Sequence, residues 1–237
     1  MHMFETFVQH LIEARVPEYT IILLLYLPLV SLVVTFSRYI IGWKSLSIYS
    51  SILLTFALYH MSRDVSGEVF LIIGLVQGGI LIFFSSLVAL LLQIFLAEIR
   101  LHYLAKISIA MSFVTIVIFM LLYFASEVVN DTFIKLNPIS VLIVIVVMEI
   151  FIRSYIRKGW RKSLILIANT IGLSYVMFII LAQNSFKEFV LKHPEVIIYS
   201  IVLNIIIGSW RGLRISEFLR FKDIHSTTFY DSEYPKE

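Results

Sequence analysis

The stretch VFLIIGLVQGGILIFFSSLVALLLQIFLA, residues 69–97, decides the fold class. Its 29 residues carry no formal charge, whereas about 20 apolar residues in a helix are enough to cross the hydrocarbon core of a bilayer. A helix of this length extends over roughly 44 Å, so we expect it to tilt, to project from the membrane or to kink at Gly78-Gly79. This stretch alone predicts a membrane helix.

The composition agrees with that prediction. Of the 237 residues, 59% are hydrophobic and 15% are charged, against about 45–50% and about 25% in soluble domains. A soluble globule of this size cannot bury so many apolar side chains, and a disordered chain would be more polar. The sequence contains no cysteine, which excludes disulfides, thiolate catalysis and cysteine-ligated metals.

The other charge-free intervals predict an all-α polytopic membrane protein with about seven membrane helices. Three of them are long enough to span a bilayer, and Val196–Trp210 is long enough if Pro194 and Glu195 lie at the interface. Two segments, 46–60 and 136–152, are shorter, and we expect short or re-entrant helices there. The three long intervals are Tyr19–Ser37, Ile107–Ser126 and Ser163–Phe186.

The order of long and short segments predicts an internal repeat. Each unit would hold a long span, a short segment and another long span. Because three is an odd number of crossings, the two units would have inverted orientations, giving a 3+3 repeat plus one helix. The predicted regions are an interfacial amphipathic helix at 1–17, a transmembrane bundle at 18–212 with units at about 18–98 and 104–186 and a final helix at 193–212, and a cytoplasmic amphipathic segment and tail at 213–237.

The distribution of lysine and arginine predicts the orientation. With seven spans and the N-terminus outside, 14 of the 19 basic residues face the cytoplasm. A five-span alternative, in which both short segments re-enter, gives the same division, so the two topologies remain open. In both of them the N-terminus is outside and the C-terminus is inside. The basic residues flank the spans and form no separate face, so nucleic-acid binding is not expected.

Paired short segments in corresponding halves predict a polar cavity at the middle of the membrane. The candidate cavity residues are Ser47, Tyr49, Ser50, Ser51, Asn137, Pro138, Ser140 and Glu149. In a simpler interpretation, these segments are ordinary short helices whose Ser and Asn residues cap the N-termini. Glu149 also has two interpretations: it pairs with Arg153 one turn away, or it serves a proton, an ion or a substrate.

Two basic clusters are candidate contacts for a partner or an anion. The first contains Arg153, Arg157 and Lys158, followed by Arg161 and Lys162; the second contains Arg211, Arg214, Glu217 and Arg220. Topology and anionic lipid are the favoured explanation of the first cluster, and the second also fits an interfacial anchor. None of the six histidines forms the His-Glu-x-x-His pair of a zinc protease. We therefore expect no catalytic residues, metal or cofactor.

Three stretches resemble a known family. They are SWRGLRISEFLRF at 209–221, Ile41-Gly42 together with SIYSS at 47–51, and the segment that ends in Met148-Glu149. The sequence resembles the seven-transmembrane domain that is usually fused to an inactive transglutaminase-like domain in bacterial membrane proteins. It departs from that pattern at Ser51, where the family usually has proline. More distantly, it is similar to the small membrane subunit of poly-γ-glutamate (capsule) synthases.

The resemblance implies a location in the bacterial cytoplasmic membrane and a partner role. Members of the family tend to accompany ATP-grasp ligases that add glutamate. We therefore expect a non-catalytic membrane partner of such a ligase, which helps to assemble, guide or export an anionic peptide product. The alternative is a secondary transporter or channel for a small solute, with its site between the two short helices. Homo-oligomerisation is left open, and an intramembrane enzyme is a third hypothesis.

Overall fold

A computed structural model describes residues 10, 14–63, 69–128 and 137–209. These residues contain eight α-helices with defined ends, and a π-helical turn at Ser37–Ile41. The helices are α1 Glu18–Phe36, α2 Ile48–Met61, α3 Leu71–Glu98, α4 Tyr103–Val128, α5 Pro138–Lys158, α6 Trp160–Leu181, α7 Asn184–Lys192 and α8 Val196–Gly208. The chain divides into two compact units, one made of residues 1–44 and 193–237 and the other of residues 45–192.

The first unit contains α1 and α8, which pack side by side. The π-helical turn follows α1 directly and ends at Gly42, whose φ of 86° lies in the left-handed region that favours glycine. The Trp43 N–H donates to the Ser37 carbonyl at 3.0 Å, which closes this turn. Gly42 therefore ends the first span.

The second unit contains α2 to α7, and three connections between its helices form antiparallel hairpins. The Phe70 N–H donates to the Ser62 carbonyl at 2.8 Å where α2 turns into α3. Lys106 Nζ, near the start of α4, donates to the Leu96 carbonyl of α3 at 2.6 Å. The hydroxyls of Ser154 and Ser163 lie 3.2 Å apart across the connection from α5 to α6. These contacts make α3 antiparallel to α2, α4 antiparallel to α3, and α6 antiparallel to α5.

Two glycines on α3 allow it to approach α2 closely. Gly74 and Gly78 are one turn apart and both are buried. A Cβ atom on Gly78 would lie 2.2 Å from Leu58 Cδ2, and one on Gly74 would lie 2.6 Å from Ser62 Cβ. Small residues at this spacing are typical of close helix pairs in membranes. The helix continues without a break from Leu71 to Glu98. The role of Gly78 is therefore to allow α3 to pack closely against α2.

The structure confirms an all-α polytopic membrane protein with about seven membrane helices. Five helices are long and apolar enough to cross a membrane, and the shorter apolar helices α2 and α8 make seven. Helices α2 and α5 run in opposite directions, as do α3 and α6, which an inverted repeat requires. The 3+3 repeat itself stays a prediction.

The predicted limits of two segments are corrected. The segment at 136–152 is not short, because α5 continues for 21 residues to Lys158; Glu149 and Arg153 pair within the helix, so the charges do not end it. The predicted span at 163–186 ends at Leu181, and a separate helix, α7, follows. The short segment at 46–60 is confirmed as the 14-residue helix α2. Most of the predicted helix at 1–17 and all of the segment at 213–237 lie outside the described residues.

Candidate functional site

Helix α2 begins beside the middle of α6. The Leu46 N–H donates to Thr170 Oγ1 at 2.9 Å, and Thr170 lies ten residues beyond Trp160, the first residue of α6. One turn further along, Ser174 Oγ donates to the Ser51 carbonyl at 3.0 Å. The two helices are therefore parallel, and α2 accompanies only the second half of α6. Its 14 residues extend over roughly 21 Å, less than the ~30 Å hydrocarbon core.

Serine side chains satisfy the backbone where α2 begins. Ser47 Oγ accepts from the Ser50 N–H at 2.9 Å, and Ser50 Oγ accepts from the Ser47 N–H at 3.0 Å. This reciprocal capping box leaves neither amide without a partner. Ser50 and Ser51 are fully buried, whereas Tyr49 is 76% exposed and points away from the bundle. An interrupted backbone is tolerated in a membrane only where protein or a polar cavity surrounds it, and here the serines and Thr170 supply the hydrogen bonds.

The second set of predicted cavity residues lies at the start of α5. Asn137 Oδ1 accepts from the Ile139 N–H at 3.0 Å, Pro138 is the first helical residue, and Ser140 is buried. Helices α5 and α6 are antiparallel and are aligned by the Ser154–Ser163 contact. Asn137 therefore lies at about the same height along the α6 axis as Leu181. Ser47 lies near the level of Thr170, so about 15 Å along the helix axis separates the two N-termini, at 1.5 Å per residue. The structure thus packs α2 against α5 but does not bring their N-termini together.

Glu149 and Arg153 form an ion pair within α5, as the spacing predicts. Arg153 Nε donates to Glu149 Oε1 at 2.8 Å, and the side chains are 24% exposed for Glu149 and 43% for Arg153. Counted from the Ser154–Ser163 contact, Glu149 lies within about 3 Å of the level of Thr170. The first turn of α2 and this ion pair therefore lie at about the same height along the axis of α6.

Most of the described basic residues of the second unit lie at one end of its helices. The Tyr103 side chain at the start of α4 lies near the Arg153 guanidinium of α5, so the α3–α4 and α5–α6 connections share an end. We call it the basic end, and its basic residues are Arg100, Lys106, Arg153, Arg157, Lys158, Arg161 and Lys162. The described basic residues at the opposite end are Arg63, Lys187 and Lys192.

This arrangement bears on the two topologies for the second unit. The five-span alternative places Arg100 and Lys106 on the side of the membrane opposite Arg153. The structure places all three at the same end, which agrees with the seven-helix alternative. Arg157, Lys158, Arg161 and Lys162 are exposed, and the Arg161 guanidinium lies 5.2 Å from the centre of the Trp160 ring. An exposed tryptophan beside basic residues is typical of the membrane–water interface.

Comparison with known families agrees with this architecture. A family model described as seven transmembrane helices usually fused to an inactive transglutaminase matches residues 3–225. The chain belongs to this family. No curated protein and no solved structure matches the chain, so the resemblance to poly-γ-glutamate synthase subunits is not confirmed.

The seven transmembrane helices of the family correspond to helices described above. The five long spans together with α2 and α8 supply seven helices, and α7 is an additional helix outside that number. The closing pattern of the family, with the predicted contacts Arg211, Arg214, Glu217 and Arg220, lies outside the described residues.

Sequence reasoning missed the residues of α6 that hold α2. Thr170 and Ser174 are fully buried. Thr170 Oγ1 also donates to the Leu166 carbonyl at 2.7 Å, and the single hydroxyl proton of Ser174 is shared between the Ser51 carbonyl and the Thr170 carbonyl, which lies at 2.8 Å. Hydroxyls inside a span usually form such intrahelical bonds, so nothing in the sequence distinguishes these two. The spacing of Gly74 and Gly78 was a usable signal for the close contact of α3 with α2.

Proposed function

We propose that this protein is a non-catalytic membrane partner of a cytosolic ATP-grasp-type ligase that adds glutamate or joins peptides. In this role it holds the ligase at the bacterial cytoplasmic membrane and helps to guide or export the anionic product. The observation that carries the proposal is the basic end, where exposed Arg157, Lys158, Arg161 and Lys162 lie together.

The positive-inside rule supports placing the basic end in the cytoplasm. A cytosolic enzyme and its anionic product would then meet the exposed arginines and lysines directly. Long-range attraction between opposite charges accelerates such encounters and favours acidic partners over basic ones. In this orientation the N-terminus of the protein is outside and the C-terminus is inside.

The family description adds a second line of support. Its members are usually fused to an inactive transglutaminase, so their seven helices hold a domain without activity at the membrane. A holding function of this kind needs no catalytic residues in the helices.

Removing lysines from the basic end should weaken binding of the product. We expect the double variant Lys158→Ala/Lys162→Ala to bind a fluorescent oligo-glutamate peptide about thirtyfold more weakly than the unmodified protein, since each charge near a surface contributes about 1 kcal/mol. Fluorescence anisotropy in detergent at low salt measures this affinity. The matched control is Lys187→Ala/Lys192→Ala, which removes two lysines from the opposite end and should leave the affinity unchanged.

Co-purification tests the ligase part of the proposal. The unmodified protein should retain a soluble protein that mass spectrometry identifies as an ATP-grasp ligase, and the Lys158→Ala/Lys162→Ala variant should retain less of it. Arg214→Ala and Arg220→Ala test the second predicted cluster in the same way. If oligo-glutamate binds equally to both double variants and no ATP-grasp ligase co-purifies, the proposal is wrong.

One observation favours solute transport as a second candidate function. Helix α2 begins part-way along α6, at the level of the Glu149–Arg153 ion pair. Interrupted helices beside an intramembrane acid are typical of transporter sites.

Glu149→Gln tests this second function. If the protein transports a small solute through this region, uptake of radiolabelled amino acids, beginning with glutamate, into proteoliposomes should fall to background in this variant, because the neutral amide no longer balances Arg153. Glu188→Gln, a change of the same kind on an exposed residue of α7, should transport normally. Equal uptake by the two variants, or none by the unmodified protein, rejects this function.

A further inference from the structure

Helix α7 is amphipathic, and the proposed function makes no use of it. Its apolar residues Phe186, Phe189 and Val190 have the spacing i, i+3 and i+4, which places them on one face. Glu188 and Lys192 lie on the opposite side, where Lys192 Nζ is 3.8 Å from Glu188 Oε2. These two side chains are 69% and 72% exposed, respectively, so the protein does not cover that side of the helix.

The position of α7 along the chain places it at a membrane boundary. Only Ala182 and Gln183 separate it from α6, a helix that is long and apolar enough to span the membrane. The Ala182 N–H donates to the Phe178 carbonyl at 2.9 Å and ends α6; the Gln183 carbonyl accepts from the Lys187 N–H at 3.1 Å and begins α7. Nine residues extend over roughly 14 Å, so α7 by itself is too short to cross the membrane.

The apolar face of α7 is only partly covered by the protein. Val190 is 2% exposed, whereas the neighbouring Phe189 is 49% exposed. The face is therefore continuous from a buried aliphatic side chain to an exposed aromatic ring. Amphipathic helices that lie at a membrane surface bury such apolar side chains at the boundary between headgroups and acyl chains.

We propose that α7 lies in the plane of the membrane and binds the lipid surface through Phe189. The ring of Phe189 inserts at the boundary between headgroups and acyl chains, and the Glu188–Lys192 pair stays in the aqueous headgroup layer. Helix α7 follows the end of α6 opposite the basic end, so this lipid contact is separate from the proposed docking surface. It also fixes the end of α6, the helix that holds α2.

The absence of cysteine from the sequence allows a direct test. Phe189→Cys and Glu188→Cys are labelled with the same environment-sensitive fluorophore, and the full chain is reconstituted into phosphatidylcholine vesicles. Lipids with a shallow doxyl quencher should quench the label at 189 about twofold more strongly than the label at 188. Iodide in the buffer should quench the two labels in the reverse order.

Glu188→Cys is the matched control because it is adjacent, exposed and equally modified. The proposal fails if iodide quenches both labels equally and the doxyl lipid quenches neither, since α7 would then lie in water. It also fails if the label at 189 is shielded from both quenchers, because a second copy or a soluble protein would then cover Phe189. None of these outcomes depends on ligase or oligo-glutamate binding, so this test and that of the proposed function are independent.

Discussion

The double variant Gly74→Ala/Gly78→Ala should lose about 3 kcal/mol or more of unfolding free energy, given that overpacking costs about 1–3 kcal/mol per site. A methyl group on Gly78 would lie 2.2 Å from Leu58 Cδ2, and one on Gly74 would lie 2.6 Å from both Ser62 Cβ and Phe178 Cζ. Leu58 and Phe178 are fully buried, so neither side chain can move aside freely. Helix α3 must therefore separate from α2. Unfolding in detergent by titration with sodium dodecyl sulfate measures the loss.

Gly172→Ala is the matched control for this experiment. Gly172 also lies inside a membrane helix, α6, but a Cβ atom there would meet nothing within 4 Å. Alanine costs less conformational entropy than glycine in a helix, so this variant should be more stable by up to about 1 kcal/mol. If the Gly74→Ala/Gly78→Ala variant is as stable as Gly172→Ala, the close contact of α2 with α3 does not exist as described.

Thr170→Val should cost about 3 kcal/mol, because a buried N–H without a partner costs about 1–3 kcal/mol and more in an apolar medium. Valine keeps the volume of threonine but removes the oxygen that accepts the Leu46 N–H. This amide precedes the first turn of α2, where no helical carbonyl can replace the lost acceptor. The same titration measures the loss, and hydrogen exchange should become faster at the Leu46 amide.

Two further variants separate this hydrogen bond from other effects. Thr170→Ser keeps the hydroxyl and should restore most of the stability. Thr115→Val removes an exposed threonine hydroxyl that donates to the Met111 carbonyl of its own helix, α4, at 3.0 Å, so it should have little effect. Equal losses for Thr170→Val and Thr115→Val would show that Thr170 does not hold α2.

Several features of the site could be predicted from residue types at short range. Ser47 caps α2 and Asn137 caps α5, because serine and asparagine favour this position in any context. Glu149 pairs with Arg153 because four residues in a helix bring the side chains together. Both results follow from chain segments of five residues or fewer.

Whether the starts of α2 and α5 line one polar cavity could not be predicted from local sequence. The sequence places polar residues at the start of both α2 and α5, but the distance between these starts depends on where each helix begins relative to α6. The sequence pattern also ends the second short segment at 152, although the paired charges of Glu149 and Arg153 allow α5 to continue to Lys158. The 15 Å separation of Ser47 and Asn137 along the helix axis follows from this longer helix.

The sequence by itself determined that this protein is a helical membrane protein, where most of its spans lie and which residues cap α2 and α5. Hydropathy and capping depend on each residue and its near neighbours, so they can be read locally. Only the tertiary structure decided that α2 starts beside Thr170 and that the α3–α4 and α5–α6 connections share the basic end. In a bilayer every helix presents apolar side chains to apolar surroundings, so hydrophobicity does not select partners. Close packing and hydrogen bonds between residues far apart in sequence select them.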